Sequence, residues 1–175
     1  MTDTDAAPAG VTVEPGDTGD VDAVAEMWVA LAEGQRDHGS HLLADENRPP
    51  AREAAARHAV TGGLFVARLA DGEAVADAPL GAGDLVGFVT ASPASGDFRT
   101  DIDRGVVRNI YVRPPARGRG VGTALLAAAE AHLAELGADR VSLEVMATND
   151  AARRFYDRHG YEPHRVELES PVDDR

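Results

Sequence analysis

A glycine-rich turn between a strand pattern and a long helix pattern constrains this chain more than any other feature. Residues 106–113 are rich in β-branched and aromatic side chains and are followed by two prolines, as is typical of a strand that ends. Residues 121–136 are rich in Ala and Leu and predict a helix that stops at Gly137. Because a further strand pattern follows at residues 140–146, this order predicts a parallel crossover within a mixed α/β sheet.

The turn itself, Arg-Gly-Arg-Gly-Val-Gly over residues 117–122, has the composition of an anion site. Amides at a helix N-terminus favour negative charge, glycines let an anion approach the backbone, and the two Arg side chains add donors. The chain has no Lys, which excludes a Walker loop, and Thr123 stands where the dinucleotide fingerprint needs a glycine. A solvated basic turn that only begins a helix stays open as the alternative.

A second segment, residues 143–161, matches the pattern L-E-V-x(3)-N-x(2)-A-x(2)-[LF]-Y-x(3)-G-[FY] at every defining position. With the R-x-x-G-x-G turn, it resembles the GNAT (GCN5-related) N-acetyltransferase superfamily, and its L-E-V start most resembles the ribosomal-protein alanine N-acetyltransferases. The resemblance is good over residues 85–168 and reduces to a strand–helix–helix order before them. It implies an α/β GNAT fold, with a central mixed twisted sheet of six to seven strands flanked by four helices.

The resemblance also implies acetyl-CoA as the cosubstrate, with the turn around its diphosphate, and no metal. In the family a bulge in the preceding strand opens a cleft, where the amide of Val112 would bind the acetyl carbonyl. Asn149 would bond the pantetheine arm, and it also suits the N-cap of the helix that it begins. The implied cofactor-binding residues are Ile110, Tyr111, Val112, Arg117, Gly118, Arg119, Gly120, Val121, Gly122, Thr123, Asn149, Ala152 and Tyr156.

Two side chains are implied as catalytic by the same resemblance. Tyr156 would protonate the leaving CoA sulfur as general acid, and Glu144 would act as general base, directly or through a water. Each also has a structural interpretation, which is a core aromatic for Tyr156 and a carboxylate on the sheet face for Glu144.

The identity of the base stays open. Asp101 and Asp103, just before the strand at residues 106–113, are rivals to Glu144, and both are also explained as solvated loop charges. Many family members carry carboxylates at the positions of Arg108 and Asn109. Their absence here weakens any assignment of the base to that strand.

The acceptor end is expected in the loop between the first two helices. Asp45 and Glu46 there are candidates to hold a cationic amine, although they are also explained as part of an acidic surface. His38 and His41 suggest a metal pair only weakly, because no third ligand has suitable spacing. A protein α-amine, a small metabolite amine and a polyamine all stay open as acceptors.

Hydrophobic spacing and turn residues predict the other elements. Asp20 is expected to cap a helix that runs to about Asp37, and Pro49-Pro50 to begin another that runs to about Val60. Strands are expected at residues 11–15, 64–69, 85–90, 106–113, 140–146 and 161–168, and a last helix at residues 149–159. One domain would span residues 11–170, between a disordered lead (1–10) and a tail (171–175).

A single strand after the last helix, in place of the family's final hairpin, suggests an acceptor groove that is open or completed by a second copy in a homodimer.

The predicted activity is acetyl transfer from acetyl-CoA to a primary amine by direct attack. Since the chain has no Cys, an acetyl-Cys intermediate is excluded. The alternative is a non-catalytic acyl-CoA-binding module for sensing or assembly. The presence of Glu144, Asn149 and Tyr156 together favours the enzyme.

Charge and apolar patterning restrict the surroundings in which the protein works. The formal net charge of −13 disfavours nucleic-acid partners. No apolar run reaches the ~18 residues of a membrane span, and no signal peptide is expected, which predicts a cytoplasmic protein. All 17 basic residues are Arg, against 30 acidic ones. This balance predicts a protein from a salt-accumulating halophile, since a GC-rich genome would explain only the Arg.

Salt should therefore stabilise the fold. Raising KCl from ~0.1 to ~3 M shortens the screening length to a few Å and removes self-repulsion, so the melting temperature should rise. Thermal unfolding followed by circular dichroism at a series of KCl concentrations measures this. No increase in melting temperature across the series would contradict the halophilic assignment.

Overall fold

The computed structural model describes residues 8, 10–73, 75, 78–96 and 98–172. The expected lead (1–10) and tail (171–175) lie largely outside the described residues. In chain order the elements are β1 (Val11–Pro15), α1 (Val21–Arg36), α2 (Arg48–Thr61), β2 (Leu64–Leu69), β3 (Leu85–Pro93), β4 (Arg104–Val112), a short 3-10 helix (Pro114–Ala116), α3 (Val121–Glu135), β5 (Arg140–Ser142) and α4 (Asp150–Arg158).

One mixed sheet organises the fold, and its strand order, β1-β2-β3-β4-β5, follows the chain. The first four strands pair antiparallel, and β5 pairs parallel to β4 after the crossover through α3. The antiparallel-then-parallel order confirms the arrangement that the turn and helix patterns predict, and the architecture is the expected GNAT fold.

Alternate strand residues bury against helices on the two faces of the sheet. Leu64, Val66 and Phe88 face α1 and α2, where they pack with Met27. Ala67, Val89 and Val107 face α3, around Leu125 and Leu133. The sheet is therefore covered on both sides, with α3 on the face that the glycine turn leads into.

Two termini show how local sequence places the N-terminal helices. Asp20 precedes α1 as expected, but its carboxylate accepts hydrogen bonds from the Asp17 N–H at 3.1 Å and from Arg68 at 2.8 Å instead of capping the helix. It thereby ties α1 to β2. Gly62 ends α2 in the left-handed conformation, with φ of +79°, which glycine adopts without strain.

The sheet has five strands among the described residues, not the expected six to seven. β5 ends at Ser142 instead of Met146, and residues 161–168 form no strand. The reason is the lack of a neighbouring strand, since a strand needs ladder partners and a surface on which to bury one face. Val166 and Leu168 are instead 75% and 89% exposed.

No helix within the described residues is both long and apolar enough to cross a bilayer.

The junction of α2 and β2 should tolerate no side chain at Gly63. A Cβ there would overlap the carbonyl oxygen of Ala91, whose N–H donates to Gly63 O at 2.8 Å. Gly63→Ala should lower the free energy of unfolding by about 1–3 kcal/mol because the backbone contact must shift. Denaturant unfolding at fixed salt measures the change.

Gly34 in α1 is the matched control, since a Cβ there meets nothing within 4 Å. Gly34→Ala should raise the free energy of unfolding by up to ~1 kcal/mol, the helix-propensity difference. Equal effects of the two substitutions would contradict the described packing at Gly63.

Candidate functional site

The ladder between β4 and β5 is short, and the sheet opens where it ends. The two strands pair only from Arg104↔Arg140 to Val106↔Ser142. β4 then continues to Val112 beside β3 alone. The opening lies between the end of β4 and the segment that leads from β5 to α4.

The bulge expected in this strand is present and lies at Arg108. Thr90 pairs with Asn109, but the next residue of β3, Ala91, pairs with Val107, so Arg108 is the extra residue. A bulge bends its strand and increases the local twist. It therefore turns the second half of β4 away from the line of β5.

This half of β4 presents backbone N–H groups to the opening. The N–H of Arg113 donates to Val86 O at 2.8 Å, so it points toward β3. Because N–H directions alternate along a strand, those of Ile110 and Val112 point to the other side, where no strand lies in the described part of the chain. A contact between Val112 and an acetyl carbonyl needs this direction.

The glycine turn supplies further free donors next to the opening. Gly118 and Gly120 have φ of +73° and +85°, a backbone form in which successive amides converge. The N–H groups of residues 118–123 donate to no acceptor among the described residues, whereas the flanking N–H of Arg117 and that of Ala124 do. The start of α3 thus has the open donors of an anion site.

Arg117 holds the turn against β4. Its Nε donates to the carbonyl oxygen of Val112 at 2.8 Å, and its guanidinium lies 5.6 Å from the centre of the Tyr111 ring. Only the terminal Nη groups are left for an anion. Arg119 is exposed, and its side chain has no hydrogen-bond or ion-pair partner within the described ranges.

α4 stands beside the turn and carries the residues of the second sequence pattern. Asn149 is its N-cap, and its Oδ1 accepts the N–H of Ala152 at 3.0 Å. The Nδ2 of Asn149 is left for another acceptor, whereas the N–H of Ala152 is already used. A Cβ added at Gly122 would lie 3.5 Å from the Phe155 ring, so α4 lies against the first turn of α3.

Tyr156 packs into the same apolar cluster as Val112 and Val121. Its ring meets Phe155 and Tyr161 edge to face, at centroid distances of 5.3 and 5.8 Å. Burial raises the pKa of Tyr156 to about 12, so its hydroxyl keeps its proton at neutral pH. The end of β4, the start of α3 and Tyr156 therefore share one apolar cluster.

Glu144 lies apart from this cluster. It is exposed, on the segment that continues β5 without a ladder partner, so it flanks the opening from the β5 side. The rival bases lie far away. Asp103 precedes β4 and exchanges hydrogen bonds with Asp139, about 30 Å along the strand from Val112. Asp101 lies at the same end.

On the α1–α2 side, a polar chain crosses from helix to sheet. The Trp28 indole N–H donates to Asn109 Oδ1 at 3.2 Å, and Asn109 Nδ2 donates to the Thr90 hydroxyl at 3.0 Å. His58 lines the same small cavity, and burial lowers its pKa. This network occupies Asn109, so the side chain at this β4 position binds within the protein and supplies no base.

Asp45 and Glu46 line an open pocket of about 340 Å³ with Glu33 and Arg36. The carboxylate of Asp45 is paired with Arg48 at 3.0 Å, which leaves Glu46 the freer of the two. Within the described residues, no group of three or more His, Asp or Glu side chains is placed to hold a metal.

The loop before α2 reaches the β5–α4 segment. The Thr148 hydroxyl donates to the backbone carbonyl of His38 at 2.9 Å, and His41 pairs with Glu169 at 3.3 Å. Both histidines thus contact the C-terminal part of the chain.

Positive charge is concentrated in the sequence around the turn. Residues 104–129, which include β4, the turn and the first part of α3, contain five Arg and no Asp or Glu. An anionic ligand is therefore favoured near the turn, although the net charge of the chain is −13.

A comparison with known families assigns this arrangement. The sequence profile described as the acetyltransferase (GNAT) family matches residues 26–161. The chain belongs to the GNAT acetyltransferase family. In this GNAT protein the end of β4, the glycine turn and α4 all lie within the matched region.

Curated relatives share one part of the chain. A mycothiol acetyltransferase from Propionibacterium freudenreichii is 40% identical over 80 residues, which are 46% of this chain and 25% of the relative. One from Thermobispora bispora is also 40% identical over 80 residues, covering 46% and 27%. The chain thus spans about a quarter of the length of these relatives.

Solved structures support the same fold. A GCN5-related N-acetyltransferase from Ralstonia eutropha superposes with a TM-score of 0.67 and 24% identity, over 93% of this chain and 99% of that one. At this identity the likeness concerns the fold alone. The narrower resemblance to ribosomal-protein alanine acetyltransferases has no counterpart among these relatives.

One residue that joins α3 to α4 is not singled out by the sequence. His159 bonds both Phe155 O and the Thr123 hydroxyl. In the sequence pattern it is one of the three unspecified positions between Tyr156 and Gly160. Only its hydrogen bonds in the fold show that it joins the two helices.

The raised pKa of Tyr156 makes a prediction about alkaline stability. In the unfolded chain the tyrosine loses its proton near pH 10, but in the fold only near pH 12. The unfolded state therefore binds fewer protons between these values, and the free energy of unfolding falls as pH rises. Tyr156→Phe should remove roughly 2 kcal/mol of that fall.

Denaturant unfolding of both proteins between pH 9 and pH 12 measures the difference. Plotted against pH, the free energies of unfolding of the two proteins should run parallel below the pKa of tyrosine in the unfolded chain and separate above it. Parallel curves over the whole range would mean that the Tyr156 hydroxyl is solvated.

Proposed function

We propose that this protein transfers the acetyl group of acetyl-CoA to a primary amine of a small molecule by direct attack. One observation carries the proposal. The free amides of residues 118–123 lie beside the free amides of Ile110 and Val112, at an opening in the sheet. A diphosphate and a thioester carbonyl need donors of these two kinds, so the residues present fit acetyl-CoA.

The chain's own residues would divide the binding of the donor among them. The turn amides, with Arg119 and the Nη groups of Arg117, would hold the diphosphate. The Nδ2 of Asn149 would bond the pantetheine arm. The bound donor supplies an activated acetyl group, and the Val112 N–H would stabilise the negative charge that develops on the carbonyl oxygen.

In the transfer, the neutral amine nitrogen forms a bond to the acetyl carbon while the carbon–sulfur bond breaks. Tyr156 would give its proton, or a hydrogen bond, to the departing sulfur. Its raised pKa does not oppose this role by itself, because burial in the same pocket raises the pKa of a thiol as well. Both groups are acids whose charged forms lose solvation.

The proton lost by the amine would pass to Glu144, directly or through a water. Glu144 flanks the opening on the β5 side, and it is exposed enough for a water to stand between it and the amine. Asp101 and Asp103 are too far along β4 to serve.

A small-molecule acceptor is supported by two observations. Two matched curated relatives are named for mycothiol and not for a protein. In this chain, Glu33, Asp45 and Glu46 line an open pocket at the α1–α2 loop, which favours a cationic amine.

Release of free CoA thiol from acetyl-CoA tests the function. The amines offered, in about 2–3 M KCl to screen the charge, are glucosamine, spermidine and a peptide with an N-terminal alanine. Glucosamine or spermidine should be acetylated faster than the peptide. CoA binding without thiol release from any amine would instead support a binding module.

Tyr156→Phe tests the acid. Its kcat should fall about 10²-fold, the usual range for loss of a general acid, while the dissociation constant for CoA stays the same. Calorimetric titration with CoA separates the two quantities. A variant with weaker CoA binding and unchanged kcat would show that Tyr156 only binds.

A further inference from the structure

His159 stands between two helices that carry different parts of the proposed site. It is the C-cap residue of α4, and its Nδ1 lies 2.7 Å from the carbonyl oxygen of Phe155. Its Nε2 lies 3.1 Å from the hydroxyl of Thr123, in the first turn of α3. One ring thus joins the end of α4 to the start of the helix that begins at the glycine turn.

The direction of both hydrogen bonds follows from the chemistry of the groups. A carbonyl oxygen only accepts, so Nδ1 carries the proton and donates to Phe155 O. In the neutral ring Nε2 is then an acceptor, and the Thr123 hydroxyl must donate to it. The Thr123 hydroxyl is therefore used within the protein, and only its backbone N–H remains for a diphosphate.

α4 depends on side-chain contacts with its neighbours more than the other helices do. It has nine residues, and only half-buried ones such as Phe155 and Tyr156 pack on the core. A helix this short is marginal without tertiary contacts. Around its C-terminal end, the described side-chain bonds to α3 are His159 to Thr123 and Tyr161 to Glu130, the latter at 2.7 Å. Thr123 and Glu130 lie two turns apart on one face of α3.

The ring also packs on the residue beside Tyr156. The His159 and Phe155 rings lie 4.4 Å apart, and Phe155 meets Tyr156 at 5.3 Å. A rotation or slip of α4 at His159 would therefore move the Tyr156 hydroxyl relative to the turn amides on α3.

We propose that His159 is a positioning residue, which fixes α4 on the first turn of α3 and so sets the Tyr156 hydroxyl against the thioester held by that turn. The inference rests on the proposed function for its catalytic consequence. The tether itself is a property of the chain without any ligand.

The tether is tested first in the ligand-free protein. Nitrogen-15 chemical shifts of the His159 ring, at a pH where the ring is neutral, should show the proton on Nδ1. In a double-mutant cycle of unfolding, Thr123→Val should destabilise the wild type and add no further loss in His159→Asn. A proton on Nε2, or additive losses, would overturn the proposal.

Two conservative variants separate the two bonds of the ring. Asn places an amide nitrogen near the position of Nδ1 and keeps the bond to Phe155 O, whereas Gln places its amide oxygen near Nε2 and keeps the bond to Thr123. His159→Asn should lower kcat about tenfold, a modest part of the ~10²-fold that a misplacement of 1 Å costs. His159→Gln should restore most of that loss, with CoA affinity unchanged in both.

The decisive kinetic readout is dependence on Tyr156. With acetyl-CoA and the most active amine of the panel, His159→Asn should have no further effect on kcat in a Tyr156→Phe background. An equal loss in both backgrounds, or an unchanged kcat in the single variant, would overturn the positioning role. If the wild type releases no thiol with any amine, the proposed function fails. The contact between His159 and Thr123 is then tested by the ring tautomer and the double-mutant cycle of unfolding alone.

Discussion

The early end of the β4–β5 ladder is the constraint on which the rest of the site depends. Parallel strands that stay paired would use the N–H groups of Ile110 and Val112 within the sheet. Because pairing stops at Val106↔Ser142, these groups stay free while β3 still holds the strand in place. The bulge at Arg108 and the hydrogen bond from Arg117 to the carbonyl oxygen of Val112 stabilise the separation of β4 from β5. An opening in the sheet is thus made from regular secondary structure, without a long loop.

The start of α3 adds the second half of the binding chemistry. Helix amides without partners cost free energy unless water or a ligand meets them, and in this chain they cluster where Arg side chains also lie. Residues 104–129 contain five Arg and no acidic residue, in a protein with a net charge of −13. Positive charge is therefore concentrated near the turn, which offsets the overall charge for an anion bound there.

The fold and much of the site follow from local sequence, since turn glycines, capping positions and apolar spacing act over a few residues. Gly137 follows the end of α3 as expected, and the strand–turn–helix unit has the expected course. The errors concern partners distant in sequence. The alternating pattern at residues 161–168 is a strand only when a neighbour pairs with it, and the role of His159 depends on the α3–α4 distance. The hydrogen bond that Asn109 accepts from Trp28, 81 positions away in the sequence, likewise depends on a distant partner.

The placement of the proposed donor contacts in one short stretch of chain has a consequence for substitution. The end of β4, the glycine turn and the first turn of α3 lie within residues 110–123, whereas the pocket of Glu46 lies on the loop between α1 and α2. Under the proposed function, substitutions in that loop would change the acceptor end and leave the donor contacts intact. Substitutions within residues 110–123 would disturb the free amides, the separation of β4 from β5 and the contact with α4 together.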